Sequence, residues 1–424
     1  MNFDKPWLLQ PPTKYRLVNA KVIDPVEAVI KADDDGAVPI EPSSSDEQTI
    51  DLQGPYLCPG LIDAHVHVTA TPGEQGLKNT YKAIPTSMNH YRTTYVVQEM
   101  LARGFATVRD CGGADAALKQ AIEEWLILGP RLNIAGHGLS QTGGHGEITV
   151  THDDPTTKCC GGHKPGISRL CDGVAECLTA VRDEMRKGAD FIKIMAGGGV
   201  SSRLNNLAHP QFLPEELSAI TRTAASFDTY VTAHAYSNRA MRHAVENGAR
   251  GIEHGNFLDE TAAYMASKGV FFTPTLATYH TLMKPPFDRW ITEDLMKKNV
   301  RVMESGVRSL KIAEEAGLTI CFGSDFMASM QPFQNNEFSI RAQVQSNLSV
   351  LRSATVNPAR MMKMEDDVGR LAEGLFADIL VLASNPLVDI KVLDNTAHIL
   401  AVIKEGRVTS SQLSQLPVDV LMNK

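Results

Sequence analysis

Nowhere in the 424 residues is there an apolar run approaching the about 20 residues that a bilayer-spanning helix requires, which argues against a membrane-inserted helical protein. The start, Met1-Asn2-Phe3-Asp4-Lys5-Pro6-Trp7, lacks the basic residues and apolar stretch of a secretory leader. The expected compartment is therefore the cytoplasm, with secretion the alternative where a leader has been cut away. A basic excess is missing as well: 41 Lys and Arg stand against 49 Asp and Glu, a net charge of -8, and no nucleic-acid partner is expected. Seven cysteines, an odd number without Cys-x-x-Cys spacing and with Cys159 beside Cys160, form no disulfide framework and read as reduced thiols. Internal repeats and long low-complexity tracts are absent too. What is present, 43% hydrophobic residues in a chain of this length, suffices for a barrel-sized core and a smaller second unit.

The most informative feature is His65-Val66-His67, which ends the run Tyr56-Leu57-Cys58-Pro59-Gly60-Leu61-Ile62-Asp63-Ala64. Side chains alternate along a strand, so both imidazoles fall on one face, where two neutral rings can grip one metal ion. Four more ligand-type residues end short apolar runs: Lys193 in Phe191-Ile192-Lys193-Ile194-Met195, His234 in Val231-Thr232-Ala233-His234, His254 in Gly251-Ile252-Glu253-His254, and Asp325 in Ile320-Cys321-Phe322-Gly323-Ser324-Asp325. Singly, His234 reads equally as a core histidine, Lys193 as a snorkelling side chain and Asp325 as a helix cap. The conjunction decides, because polar residues ending several buried strands are what a metal site at one end of a barrel requires.

Eight strand candidates alternate with helical patterns, ending near His67, Arg109, Ala135, Ile194, His234, His254, Thr275 and Asp325. Helix starts such as Leu213-Pro214-Glu215-Glu216, with proline and acids in the first turn, lie between them. This predicts an α/β fold, a (β/α)8 TIM barrel over 61–367 with its site at the C-terminal strand ends. The flanks hold short alternating stretches, including Tyr15–Ile23, Ala377–Leu382 and Ile399–Gly406, and neither has strands enough for a core alone. Residues 1–60 and 368–424 are therefore expected to combine into one small β-sandwich. The segment from Gly143 to Asp172 has no regular pattern, and its place after strand 3 makes it a candidate lid over the site, with a tolerated insertion the alternative.

The order His65, His67, Lys193, His234, His254, Asp325 resembles that of the two-metal members of the amidohydrolase superfamily, and the resemblance covers nearly the whole chain. In that family the HxH pair comes from strand 1, a carbamylated lysine from strand 4, histidines from strands 5 and 6 and an aspartate from strand 8. Local resemblance is to a branch of metal-dependent dipeptidases with prolidase-like members and the fungal ochratoxin-hydrolysing amidase. It is carried by Leu139–Glu147, Ile192–Val200 and Thr232–Tyr236, with Glu147 standing where aspartate is expected.

The resemblance implies two divalent metal ions, with zinc favoured by nitrogen and oxygen donors and no thiolate, and carbon dioxide bound as the Lys193 carbamate. It further implies His65, His67 and Asp325 at one ion, His234 and His254 at the other, and a bridging role for Lys193. Asp325 would take a proton from the attacking water and pass it to the leaving nitrogen. His145, Tyr236 and Arg203 are the candidates for binding a small-molecule substrate, His145 also for catalysis, by hydrogen bonds or charge at its carboxylate or developing oxyanion. The implied reaction is hydrolysis of an amide or imide bond in a dipeptide or N-acyl amino acid. A homo-oligomer is also implied, an octamer among the options. A cyclic-amide hydrolase or deaminase would use the same barrel, but many deaminases lack the strand-4 lysine. A non-catalytic descendant would have lost ligands, and none is lost here.

Overall fold

The computed structural model describes residues 5, 7–31, 47–73, 86–147, 166–202 and 205–420. Eight parallel strands form a closed ring: β1 (Leu61–Val66), β2 (Phe105–Asp110), β3 (Arg131–Ile134), β4 (Ile192–Met195), β5 (Val231–Ala235), β6 (Gly251–His254), β7 (Phe271–Thr273) and β8 (Thr319–Ile320). β1, β2 and β3 share one parallel ladder and β4 to β8 another. Backbone bonds close the two seams. Asp190 N–H donates to Ile134 O at 2.7 Å between β3 and β4, and Ala64 N–H donates to Phe322 O at 2.8 Å between β8 and β1.

The sequence explains the ring. Each strand is a short run rich in Ile, Val and Phe, buried on both faces because helices cover the outside and side chains fill the inside. Helices such as Gly173–Arg186, Pro214–Ala225, Asn238–Glu246 and Glu293–Glu315 follow β3, β4, β5 and β7. Their apolar stripes contribute Val181, Leu217, Ile220, Met241 and Leu310 to the layer between helix and strand. Each such side chain, fully buried, is worth about 1.5–3 kcal/mol. The predicted start at Leu213-Pro214 is where the helix begins, with Glu216 reaching back to accept the Leu213 N–H at 2.7 Å.

Two expectations need correction. The eighth strand is regular only over Thr319–Ile320; beyond it the chain keeps backbone bonds to β7 and β1 but loses the regular ladder, and Asp325, at φ +52°, turns its carboxylate inward. The stretch from Gly143 to Asp172 is not wholly irregular either, since Ser168–Leu170 pairs in parallel with Gly138–Ser140 above β3. Residues 148–165 of the candidate lid lie outside the described residues.

Both ends of the chain supply a second β unit. Lys21–Asp24, Val29–Lys31 and Tyr56–Pro59 join Ile379–Leu382, Ile399–Lys404 and Arg407–Ser411 in one six-stranded sheet. A separate parallel pair, Lys14–Val18 with Glu47–Asp51, supplies Ile50 to a cluster with Leu57, Val381, Ile403 and Val408 of that sheet. The unit is tied to the barrel by Arg131, which bonds Asp378 at 2.7 Å and Glu405 at 2.7 Å. Gly60 makes the crossing between them, where a Cβ would lie 2.6 Å from Ala106 Cβ.

Candidate metal centre and active site

The C-terminal strand ends bring the predicted ligands together. His65, at the end of β1, and His67, just beyond it, point Nε2 at the same atom, Oδ1 of Asp325, at 3.6 Å and 3.5 Å. That oxygen is buried and has no hydrogen-bond partner. Ligand atoms of His65, His254 and Asp325 lie within 4.8 Å of one another, and the rings of His254 and His234 are 4.5 Å apart. Lys193 on β4 is 1% exposed, and a charge interaction with it lowers the proton affinity of His65, His67, His145, His234 and His254.

The backbone holds this set under tension. His254 at φ +70° and Asp325 at φ +52° both sit in the left-handed region, which costs a side-chain-bearing residue about 1–3 kcal/mol. Asp63 fixes β1 to the segment carrying Asp325: it accepts N–H bonds from His65 and Ser324 at 3.1 Å each, the Ser324 hydroxyl at 2.5 Å and the Gln334 amide at 2.8 Å. Gly323 permits the close approach, since a Cβ there would stand 2.9 Å from His65 Cβ.

Electrostatics prepare the centre for cations. Burial first, then the Lys193 charge, holds His65 well below the usual imidazole range and His67 at about 4. His234 and His254 lie well below that range too, through burial first and neighbouring imidazoles second. Burial pushes Asp325 up to about 7. Neutral imidazoles, a carboxylate that is costly to ionise when dry, and an orphaned buried oxygen suit divalent cations.

Sequence reasoning missed the residues that orient these ligands. His65 Nδ1 lies 2.6 Å from Glu253, whose other oxygen meets Arg109 at 2.5 Å and accepts the Thr232 hydroxyl. His67 Nδ1 lies 2.9 Å from Gly112 O. On the far side His254 Nδ1 is 2.8 Å from the Thr275 hydroxyl and 3.2 Å from that of Tyr279, whose hydroxyl is 2.6 Å from Tyr236. Such contacts fix which ring nitrogen is left for a metal. The only sequence signal was the polarity of Arg109 and Glu253 within otherwise apolar strands.

Of the substrate candidates, His145 stacks on His234 with ring centroids 4.2 Å apart, and its buried Nδ1 has no partner. Gly199 makes room, because a Cβ there would fall 2.0 Å from the His145 ring. Tyr236 lies flat against His254, with ring centroids 5.2 Å apart, and burial keeps its phenol protonated. Arg203 lies outside the described residues.

The amidohydrolase family profile matches residues 56–409, which spans the barrel and, of the second β unit, Tyr56–Pro59 and the C-terminal strands as far as residue 409. The chain belongs to the amidohydrolase family. This amidohydrolase is 31% identical over 365 residues to ochratoxinase of Aspergillus niger, covering 83% of this chain and 75% of that one. It is also similar to a prolidase solved with N-methylphosphonate-L-proline, at TM-score 0.88 and 38% identity over 94% of this chain and 100% of that one. A Xaa-Pro dipeptidase solved with methionine in its active site matches at TM-score 0.79 and 27% identity over 93% of this chain and 99% of that one. The chain is an enzyme, a hydrolase acting on carbon–nitrogen bonds, on a TIM-barrel fold. Among the described residues no helix is long and apolar enough to cross a membrane.

Proposed function

We propose that this amidohydrolase cleaves the amide or imide bond joining an acyl group to an amino acid, in Xaa-Pro and related dipeptides or in N-acyl amino acids of the ochratoxin type. The observation that carries the reading is the buried, unpartnered Oδ1 of Asp325 facing the Nε2 atoms of His65 and His67. Similarity to prolidase, Xaa-Pro dipeptidase and ochratoxinase supports the substrate class.

In this reading His65, His67, Lys193 as its carbamate, His234, His254 and Asp325 hold two divalent cations, zinc by the character of the donors. Such cations would supply Lewis acidity to the scissile carbonyl and to a water near neutral pH. Asp325 accepts the proton released on attack and carries it to the leaving nitrogen. His145 and Tyr236 donate to the substrate carboxylate or to the oxyanion, and Arg203 supplies positive charge. The same reading takes the terminal strands, 1–60 with 368–424, as a β-sandwich beside the 61–367 barrel, and the working form as a homo-oligomer.

The test is hydrolysis of a panel of Xaa-Pro dipeptides, other dipeptides and N-acyl amino acids, alongside binding of N-methylphosphonate-L-proline. Turnover of one of these groups, with the phosphonate as a competitive inhibitor, is expected. Turnover confined to neutral cyclic amides would replace this reading with a ring-opening hydrolase.

A further inference from the structure

A chain of hydrogen-bonding contacts links Tyr236, Tyr279, Thr275 and His254. Tyr236 hydroxyl lies 2.6 Å from that of Tyr279, and among the described residues it has no other hydrogen-bond partner. Tyr279 hydroxyl has two further neighbours, His254 Nδ1 at 3.2 Å and the Thr275 hydroxyl at 3.4 Å, while Thr275 is itself 2.8 Å from His254 Nδ1. A neutral imidazole that offers Nε2 to a cation carries its proton on Nδ1. On the His254 side, then, Tyr279 faces an N–H donor.

Each phenol has one proton to give. If Tyr236 donated to Tyr279, the Tyr279 proton would be turned toward an Nδ1 that already bears one, or across the long 3.4 Å gap to Thr275. The opposite order avoids that conflict: His254 supplies the Tyr279 oxygen and Tyr279 donates over the short 2.6 Å contact, so that only the Tyr236 proton is left without an acceptor among the described residues. We infer that Tyr279 is a positioning residue that donates to the Tyr236 oxygen and so leaves the Tyr236 proton for a substrate oxygen. This rests on the reading of Tyr236 as a substrate donor.

The fold anchors Tyr279 for the purpose. It sits in the short helix Ala277–Thr281 after β7, whose first backbone N–H groups are those of Leu276 and Ala277. Both donate to one oxygen of buried Glu337, at 2.9 Å and 2.6 Å. Glu337 pairs with Arg341 at 2.8 Å, and Arg341 reaches the carbonyls of Pro274 and Cys321 on either side. Asn299 holds the Tyr279 carbonyl at 2.9 Å. The Glu337–Arg341 network thus holds the start of the helix and Asn299 holds the Tyr279 backbone, which fixes where the Tyr279 hydroxyl is presented, as orientation in catalysis requires.

The experiment uses the metal-loaded enzyme and a double-mutant cycle of Tyr236→Phe and Tyr279→Phe, with kcat, KM, metal content and the Kd for N-methylphosphonate-L-proline as readouts. Tyr279→Phe is expected to lower kcat and weaken phosphonate binding by about tenfold each, with metal content unchanged. In the Tyr236→Phe background the second substitution should add almost nothing, because the donor it orients is gone. Losses that multiply, or a Tyr279→Phe enzyme equal to wild type, overturn the inference while leaving the functional reading in place. A harmless Tyr236→Phe overturns the assignment of Tyr236 as donor and the inference with it.

Discussion

His65 Nδ1 and the Glu253 carboxylate meet at 2.6 Å inside the barrel, one layer below the ligand atoms, with both side chains essentially inaccessible to solvent. Burial works against the Glu253 charge, yet Arg109 and His65 outweigh it and hold that carboxyl well below its usual range. Glu253 therefore stays ionised beside a neutral His65, and the contact at Nδ1 leaves the Nε2 of His65 facing Asp325. Glu253→Gln keeps the shape but strands Arg109 as an unpaired buried charge, a change that costs about 3–5 kcal/mol. The variant should melt lower and bind metal roughly 10- to 100-fold more weakly, as measured by thermal denaturation and by titration of the metal-free protein with Zn2+. Unchanged affinity would remove Glu253 from the metal centre.

Metal occupancy is the second expectation. Six candidate ligands exceed what one four-coordinate ion uses, so elemental analysis should find about two transition-metal ions per chain. Lys193→Ala should lose metal and activity together, and short carboxylic acids in the buffer should restore part of both. Full activity at one ion per chain would overturn the two-metal reading; normal metal content in Lys193→Ala would overturn the bridging role.

Asp325 gives a pH dependence with a definite sign. In the metal-free fold burial raises its carboxyl to about 7, whereas the unfolded chain releases that proton near 4. The native state thus binds more protons in between, and stability falls as pH rises from about 4 through 7, by up to about 1.4 kcal/mol per pH unit from this group. Metal-free Asp325→Asn, which has no proton to lose, should melt above metal-free wild type at pH 8 and show no such advantage at pH 4. In the presence of metal the same substitution should retain part of the metal and lower kcat by orders of magnitude, since an amide cannot accept the proton. Identical melting of the two metal-free proteins at pH 8 would contradict the burial argument.

The substrate carboxylate supplies the fourth. If His145, Tyr236 and Arg203 anchor it, amidation of that carboxylate should abolish most turnover. A charge-assisted hydrogen bond contributes about 1.5–3 kcal/mol, so Tyr236→Phe should lower kcat/KM by roughly ten- to a hundredfold. Equal rates on acid and amide would shift the substrate toward a neutral ring.

The sequence by itself singled out the candidate ligands and the strands that carry them. His65, His67, Lys193, His234, His254 and Asp325 each end an apolar run, and alternation along a strand together with the βα rhythm suffices to send them to one end of a barrel. The strand-like flanks were legible in the same way, because turn residues break them into short alternating stretches. Tertiary structure alone decided how the ligands are aimed. Glu253 comes to His65 from 188 residues away, and Tyr279 to Tyr236 from 43, by curvature of the ring rather than by any local pattern. The shortened eighth strand was likewise invisible, since Cys321-Phe322-Gly323 is as apolar as a ladder strand. What interrupts it is the left-handed turn that brings the Asp325 oxygen to His65 of β1 and to His67 just beyond it, a demand of the site and not of the segment.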